Sequence, residues 1–148
     1  MAAITGMFTR LHRFLYIHTG GRVGHRLMLV PTLLLRTTGR RSGATRASAL
    51  IYARDGRDYV VVGSNWGRDS SPAWLVNLVA APDVEIQVGR ERMPATASVV
   101  EAGDADYARL WRLVNANNHG RYDQYQTQTG RPIPVVVLTP AGSTAPGH

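Results

Sequence analysis

The segment Thr37–Gly43, with the sequence TTGRRSG, combines residue types that bind anions. Glycines let successive backbone N–H groups turn inward as an anion-binding nest, and hydroxyls can donate hydrogen bonds. Arginine side chains bind phosphate or carboxylate with two parallel hydrogen bonds. Arg46 follows on what we expect to be the next strand. The same composition also suits a solvated turn, so the pattern taken by itself leaves both interpretations open.

The distribution of charge bears on this choice. The chain has 148 residues and a formal net charge of +7, and its 17 basic residues are all arginine. The arginines up to Arg46 precede the first acid, Asp55, so the basic charge is concentrated in the first third of the chain. Such an asymmetry points to an anionic partner, which can be a nucleic acid, a membrane surface or a polyanionic small molecule.

Several kinds of chemistry are excluded or disfavoured by composition. The absence of Cys excludes thiolate catalysis, disulfides and iron–sulfur clusters and suggests an intracellular, cytoplasmic protein. No phosphate-binding P-loop, dinucleotide fingerprint, zinc-protease or nucleophile-elbow motif occurs. The five histidines are scattered, so we predict no metal site, and the acids are too dispersed for a paired-carboxylate hydrolase. Chemistry carried by a bound cofactor remains.

The N-terminal residues 1–25 read as an amphipathic helix followed by a turn. Apolar side chains recur at helical spacing from Met7 to Leu15, and Gly20-Gly21 ends the pattern. Core packing, a lid over a cofactor site and contact with an anionic membrane surface are all compatible with this pattern. The longest apolar stretch, Leu27 to Leu35, contains Pro31 and is too short to span a bilayer.

Strands joined by tight turns are predicted along most of the remaining chain. Apolar runs predict strands over Thr32–Arg36, Arg46–Arg54, Arg57–Gly63, Val84–Val88, Met93–Val100 and Val135–Thr139. Asp55-Gly56 predicts a type I′ hairpin between the second and third of these strands, and Gly89-Arg90-Glu91-Arg92 predicts a second hairpin.

Helices are expected between these strands. Ser70-Ser71-Pro72 and Pro82 bound one helix, Asp104 can cap a second, and a short third one carries Tyr122 and Tyr125. About six strands with three or four helices favour an α+β antiparallel barrel, formed by a single domain over residues 1–140 with a disordered tail at 141–148.

From Leu33 to about Pro140 the chain resembles the deazaflavin-dependent nitroreductase family, whose members use coenzyme F-420. The matching stretches, in the same order as in the family, are Leu34–Gly43, Arg46, Asp55-Gly56, Val61–Ser64 with Gly67, Pro72-Ala73-Trp74 with Asn77-Leu78, Pro82 with Val84, and Arg131–Val136. The resemblance implies a split β-barrel of the flavin-binding type. It also implies an actinobacterial reductase that transfers a hydride from reduced deazaflavin to a quinone, enone or nitro compound.

The resemblance assigns roles to the residues of the glycine-rich loop. Arg40, Arg41, Ser42 and Gly43 would hold the phosphate and the start of the oligoglutamate tail of coenzyme F-420, with Arg46 nearby. A phosphate followed by glutamates is a polyanion, which accounts for arginines beside one loop better than a single flavin phosphate does.

The resemblance also implies residues around the deazaflavin ring and the substrate. Val62, Gly63 and Ser64 would line the ring, and Asn65 stands where some members have lysine. Trp74 and Asn77 would close the same pocket from the following helix. Tyr122 and Tyr125 would lie over the hydride acceptor and serve as the catalytic side chains, although ordinary packing also explains their spacing.

Two other functions remain open. An enzyme or binding module for flavin mononucleotide (FMN) on the same barrel would bind a mononucleotide without the glutamate tail. A nucleic-acid-binding protein would need exposed aromatic residues among the arginines. We do not expect the latter, because Trp66 and Trp74 lie beyond the basic region.

Overall fold

A curled antiparallel sheet of seven strands organises the molecule. The computed structural model describes residues 31–141. Its strands are β1 (Thr32–Thr38), β2 (Thr45–Ile51), β3 (Ala53–Asp55), β4 (Asp58–Val62), β5 (Asp83–Val88), β6 (Glu91–Val100) and β7 (Val135–Pro140). They lie in the order β2-β1-β5-β6-β7-β4-β3, and each neighbouring pair is antiparallel.

Tyr52 forces this sheet to curl. β2 and β3 are the two edges of the sheet, yet only Tyr52 separates them along the chain. One residue spans at most about 3.6 Å, so the two edges have to meet. The sheet therefore closes into a half-barrel, with β2 also contacting β4. The Tyr52 N–H donates to the Pro31 carbonyl (3.1 Å), and its ring packs edge-on against Tyr59 at 5.3 Å.

Side chains of β1, β4 and β7 are largely buried on both faces of the sheet. Tyr59 and Val61 pack inside the barrel, whereas Val60 and Val62 pack outside it against a second apolar cluster. This alternation follows from the two-residue period of a strand. Because both faces are covered, the sequence of such a strand is apolar throughout instead of alternating with polar residues.

Three helices cover the barrel: α1 (Ala73–Ala80), α2 (Tyr107–Asn117) and α3 (Arg121–Thr127). Trp74, Leu75 and Leu78 of α1 belong to the inner cluster, and α1 contacts β1 and β6. Leu110 and Val114 of α2 belong to the outer cluster, where α2 contacts β3, β4 and β7. The predicted α+β antiparallel barrel is confirmed.

The predicted first hairpin is only partly correct. The predicted strand Arg46–Arg54 breaks at Tyr52 into β2 and β3, and this break gives the seventh strand. β2 pairs with β1 instead of with β4. Only the short β3 pairs with β4, through a turn of Gly56 and Arg57. Gly56 has a positive φ (61°) and Arg57 does not, so the turn is not type I′, which needs positive φ at both positions. The second hairpin is confirmed, with Gly89 and Arg90 as its turn.

The predicted helix caps are wrong in detail. Pro72 itself occupies the N-cap position of α1, and neither Ser70 nor Ser71 caps the helix. Helix α2 begins after Asp106, and the Asp104 carboxylate accepts a hydrogen bond from the Glu101 N–H instead. The end of α1 at Ala80, just before Pro82, agrees with the prediction.

The N-terminal helix over residues 1–25, the scattered histidines within it and the tail after Ala141 lie outside the described residues. Among residues 31–141, no helix is long and apolar enough to cross a membrane.

Helix α1 provides a matched test of the inner core. Leu78 is 1% exposed and Val79 is 65% exposed on the same helix. Leu78→Ala should lower the free energy of unfolding by about 2–5 kcal/mol, because it leaves a cavity in the barrel. Val79→Ala should change it by less than about 0.5 kcal/mol. Urea denaturation of both variants checks this, and equal losses would contradict the assigned packing of α1.

Candidate functional site

A cavity of about 470 Å³ opens between the β1–β2 loop, the start of β2 and the N-terminal half of α1. It is lined by Gly39, Arg40, Arg41, Ser42, Arg46, Ala47, Ser48, Ala73, Trp74 and Asn77. The pairing of Thr37 with Arg46 and of Thr38 with Thr45 places the loop directly beside the β2 residues of the lining. The hairpin register therefore brings Arg46 to the same cavity as Arg40 and Arg41.

Internal hydrogen bonds hold the β1–β2 loop in shape. The Gly39 N–H donates to the Ala44 carbonyl (2.7 Å), and the Gly43 N–H donates to the Gly39 carbonyl (2.8 Å). The Ala44 N–H donates to the Ser42 hydroxyl oxygen at 3.2 Å. A Cβ at Gly39 would lie 3.0 Å from the same hydroxyl oxygen and 3.1 Å from the Ala44 carbonyl oxygen, so a side chain there would displace these groups. Gly43 has a φ of 72°, which favours glycine.

These bonds correct the predicted nest. The N–H groups of Gly39, Arg40, Gly43 and Ala44 donate within the protein, so they do not form a continuous set of inward-pointing donors. Guanidinium groups and hydroxyls remain as donors to an anion. The Ser42 oxygen accepts from Ala44, but the Ser42 O–H hydrogen can still be donated.

Asn77 connects this loop to the core. Its side-chain Oδ1 accepts from the Arg40 N–H (3.2 Å) and from Arg40 Nη1 (3.3 Å). Its Nδ2 donates to Thr37 Oγ1 at 3.4 Å. Asn77 is 4% exposed and Thr37 is 2% exposed, so these polar groups satisfy one another where water cannot reach them. Asn77 thus fixes Arg40 relative to α1.

The cavity is strongly basic. Its lining includes three arginines, and no lining residue is acidic. Arg40, Arg41 and Arg46 are exposed, so their charged groups are accessible to a ligand. Each guanidinium can donate several hydrogen bonds in a planar fork. The arrangement suits a ligand with several negative charges.

The residues predicted around the deazaflavin ring lie at the end of β4. Val62 ends the strand, and the Gly63 N–H donates to the Pro134 carbonyl at 3.0 Å. A Cβ at Gly63 would lie 3.0 Å from Leu75 of α1. Ser64 is 9% exposed, and no hydrogen bond of its hydroxyl is found among residues 31–141. The Asn65 side-chain Nδ2 donates to the Ser70 carbonyl at 2.9 Å, so this amide group braces its own turn.

The two predicted catalytic tyrosines differ in burial. Tyr122 is 5% exposed and belongs to the outer core cluster, between Trp111 and Tyr125 at ring-centroid distances of 6.2 and 6.1 Å. Tyr125 is half-buried, and its ring meets the edge of Trp66 at 6.1 Å. Burial raises the pKa of both hydroxyl groups above the usual value for tyrosine. Both groups are therefore neutral hydrogen-bond donors at physiological pH.

The structure brings some of the predicted site residues together and separates others. Arg40, Arg41, Ser42, Arg46, Trp74 and Asn77 share one cavity, and Gly43 belongs to the same loop. Val62, Gly63, Ser64 and Asn65 lie on the segment that leads into α1, and Tyr122 and Tyr125 lie on α3. None of these latter residues lines the cavity.

Sequence reasoning missed Ser48 and Arg131. Ser48 lies two residues after Arg46, hence on the same face of β2, and this spacing would have indicated it. Arg131 contacts residues more than 60 positions away, which no local pattern reveals. Among the described residues, no three histidines or acids lie close enough to hold a metal ion.

Comparisons with known proteins agree with one another. The family model of the F420H(2)-dependent quinone reductases matches residues 8–140. An F420H(2)-dependent quinone reductase of Mycobacterium tuberculosis strain H37Rv is 53% identical over 131 residues, which is 88% of each chain. The solved structure of an F420-H2 dependent reductase (FDR-A) superposes with a TM-score of 0.64 at 33% identity, covering 73% of this chain and 93% of that one. Another, described as a domain-swapped dimer, has a TM-score of 0.67 at 30% identity, with coverages of 87% and 95%.

The bridging role of Asn77 can be tested by stability. Asn77→Ala should lower the free energy of unfolding by about 1–3 kcal/mol, because it leaves the buried Thr37 hydroxyl and the Arg40 N–H without their side-chain partner. In a double-mutant cycle with Arg40→Ala, the two losses should not add, since the side chains are hydrogen-bonded to each other. Strictly additive losses in denaturant titrations would show that the contact contributes nothing.

Proposed function

Because this chain belongs to the F420H(2)-dependent quinone reductase family, we propose that its arginine-lined cavity holds the anionic part of coenzyme F-420 and that its hydride acceptor is a quinone. The chain is an oxidoreductase of the coenzyme F-420-dependent type. The observation that carries the assignment of the cavity is its charge. Three arginines and no acid line a space of about 470 Å³ beside a preformed loop.

The charge of the cavity suits the phosphate and oligoglutamate tail better than the phosphate of FMN alone. Arg40 is fixed by Asn77, whereas Arg41 and Arg46 have no partner among residues 31–141 and can turn to a ligand. Two free guanidinium groups beside a fixed one can follow a chain of carboxylates. Coenzyme F-420 is therefore the expected ligand, with FMN as the weaker binder.

The deazaflavin ring would extend from this cavity past Trp74 toward the end of β4. Trp74 lines the cavity and also packs in the barrel core. The segment 62–65 also approaches α1, where Gly63 lies against Leu75. In this proposal, Val62, Gly63 and Ser64 line the ring and Asn65 braces the turn that follows. The hydroxyl of Ser64 is then available as a donor to a ring atom.

When bound in its reduced form, coenzyme F-420 supplies a hydride. The chain has to hold the acceptor near the ring, exclude water and provide the proton that completes reduction of a quinone. Helix α3 contacts the turn after β4, so Tyr125 lies beside the proposed ring site. We assign Tyr125 to proton donation or orientation of the acceptor. We assign Tyr122 to packing against the Tyr125 ring. Membrane contact through residues 1–25 stays a prediction from the sequence.

Binding of the cofactor provides the central test. Arg40→Ala and Arg41→Ala should each weaken binding of coenzyme F-420 by about 1–3 kcal/mol, the usual range for a hydrogen bond to a charged group. Fluorescence titration measures the affinity, and oxidation of reduced coenzyme F-420 by menadione measures the activity of the wild type.

Arg90→Ala is the matched control, because Arg90 is an exposed arginine in the turn between β5 and β6 and does not line the cavity. Its affinity for coenzyme F-420 should equal that of the wild type. Tighter binding of FMN than of coenzyme F-420 by the wild type, or equal affinities in all three variants, would rule out the proposed cofactor site.

The two tyrosines should respond differently to loss of the hydroxyl. Tyr125→Phe should lower kcat by about 10- to 100-fold with little change in cofactor affinity, because only a proton donor in the reaction is lost. Tyr122→Phe should mainly lower thermal stability, since its hydroxyl is buried. Full turnover of the Tyr125→Phe enzyme on menadione would show that water supplies the proton.

The pH dependence follows from the same assignment. A proton donor is active while it is protonated and loses activity as the pH rises through its pKa. Burial raises the pKa of Tyr125 above the usual tyrosine value of 10.0. The kcat of the wild type should therefore stay level from neutral pH to about pH 9.

A further inference from the structure

The turn that follows β4 has an uncommon backbone. Asn65, Trp66 and Gly67 have φ values of 47°, 61° and 80°, so three consecutive residues lie in the left-handed region. This conformation costs a non-glycine residue about 1–2 kcal/mol, and here two such residues adopt it in succession. Such strain persists only where surrounding contacts impose it, and it concentrates at functional sites. This turn therefore needs contacts from other parts of the chain to hold it in place.

Arg131 makes most of these contacts. Its Nη1 donates to the Gly63 carbonyl (3.1 Å), and its Nη2 donates to the carbonyls of Ser64 (3.0 Å) and Arg68 (3.1 Å). Its Nε also donates to the Arg68 carbonyl, at 3.3 Å. One guanidinium group thus joins both ends of the left-handed turn. No carboxylate among residues 31–141 forms a salt bridge with Arg131, so its hydrogen bonds go to backbone carbonyls.

Helix α3 supports the turn from the other side. A Cβ at Gly67 would lie 2.6 Å from Gln128 Oε1 and 3.0 Å from the Tyr125 carbonyl oxygen, so the turn packs directly on α3. Thr129 Oγ1 also donates to the Asp69 carboxylate at 2.7 Å. Trp66 is 45% exposed at the tip of the turn, with its ring edge against Tyr125. A shift of the turn would therefore move both Ser64 and Trp66 relative to Tyr125.

We infer that Arg131 is a positioning residue for hydride transfer, which acts by binding the carbonyls of Gly63, Ser64 and Arg68 and so holding the left-handed turn beside Tyr125. This inference rests on the proposed function, in which Gly63 and Ser64 line the deazaflavin ring and Tyr125 faces the acceptor. In this proposal Arg131 itself contacts neither the deazaflavin ring nor the acceptor. It contributes by fixing the backbone of Gly63 and Ser64, the residues proposed to line the ring.

The shape of the guanidinium group matters more than its charge. Three carbonyl oxygens around one planar fork match the donor geometry of arginine, whereas a lysine ammonium is a compact point charge that does not reproduce that fork. Arg131→Lys retains the charge and Arg131→Gln removes it, but both lose the fork. We expect both variants to be impaired in the same way.

Turnover and cofactor affinity should separate in these variants. In Arg131→Gln and Arg131→Lys, kcat with menadione should fall about tenfold or more, because small displacements of reacting groups are costly. The affinity for coenzyme F-420 should change little, since the arginine-lined cavity does not include Arg131. Gly67→Ala displaces the same turn from the α3 side and should reproduce this pattern. It carries the test if the Arg131 variants do not fold.

Hydrogen exchange in the cofactor-free protein gives a second measurement. The Gly67 N–H donates to the Ser64 carbonyl (2.9 Å), and the Arg68 N–H donates to the Asn65 carbonyl (3.1 Å). Exchange of both amide groups should be faster in Arg131→Gln than in the wild type, because the turn opens locally. Arg109→Gln is the control. It removes a bidentate salt bridge with Asp55, which lies at the opposite end of β4 from the turn, and should leave exchange at 67–68 and kcat unchanged.

The outcomes are distinguishable. Unchanged kcat in folded Arg131→Gln, full activity of Arg131→Lys, or a loss of cofactor affinity in proportion to the loss of kcat would each overturn the inference. Unchanged amide exchange would overturn it as well. Failure of the wild type to oxidise reduced coenzyme F-420 with menadione would instead refute the proposed function, while the exchange measurement still tests whether Arg131 holds the turn.

Discussion

The rest of the structure depends on the single residue that joins the two edges of the sheet. Tyr52 connects β2 to β3 directly, and these strands would be at opposite ends if the sheet were flat. The short link forces curvature, and the curvature creates an interior that Leu33, Leu35 and Val61 fill. It also brings the β1–β2 hairpin toward β4, through contacts between β2 and β4. This closure acts together with α1 to fix the arginine-bearing loop relative to the segment after β4.

Helix α1 connects the barrel core to both parts of the proposed site. Its inner face is anchored in the barrel by Leu75 and Leu78, while Trp74 and Asn77 reach the arginine-lined cavity. The same helix approaches Gly63 through Leu75. A short, well-packed helix therefore positions both the loop proposed to bind anions and the strand end proposed to carry the ring. Asn77 satisfies the buried Thr37 hydroxyl while it fixes Arg40, so fold stability and the proposed ligand contact depend on one side chain.

The two halves of the proposed site are held by different kinds of interaction. The loop at 39–44 is shaped by its own backbone hydrogen bonds. The guanidinium groups of Arg41 and Arg46, which have no hydrogen-bond partner among residues 31–141, line the cavity proposed to bind the anion. The turn at Asn65–Gly67 is strained and is held from outside, by Arg131 and by α3. Electrostatic attraction of the proposed anionic tail does not require fixed arginine side chains. Hydride transfer does not tolerate misplacement, because its rate falls steeply with distance and angle.

Local chemistry determined much of this protein. The glycine-rich loop with its arginines, the hairpin at Gly89-Arg90, the end of α1 before Pro82 and the barrel class all follow from composition and spacing, and the family resemblance follows from short motifs in order. Local patterns could not show that the apolar run Arg46–Arg54 breaks at Tyr52, because strand partners are chosen by long-range pairing. They could not distinguish Tyr122 from Tyr125 either, since burial depends on what packs from elsewhere. Nor could they assign Arg131, whose carbonyl partners lie more than 60 residues away and are brought to its guanidinium group by the pairing of β4 with β7.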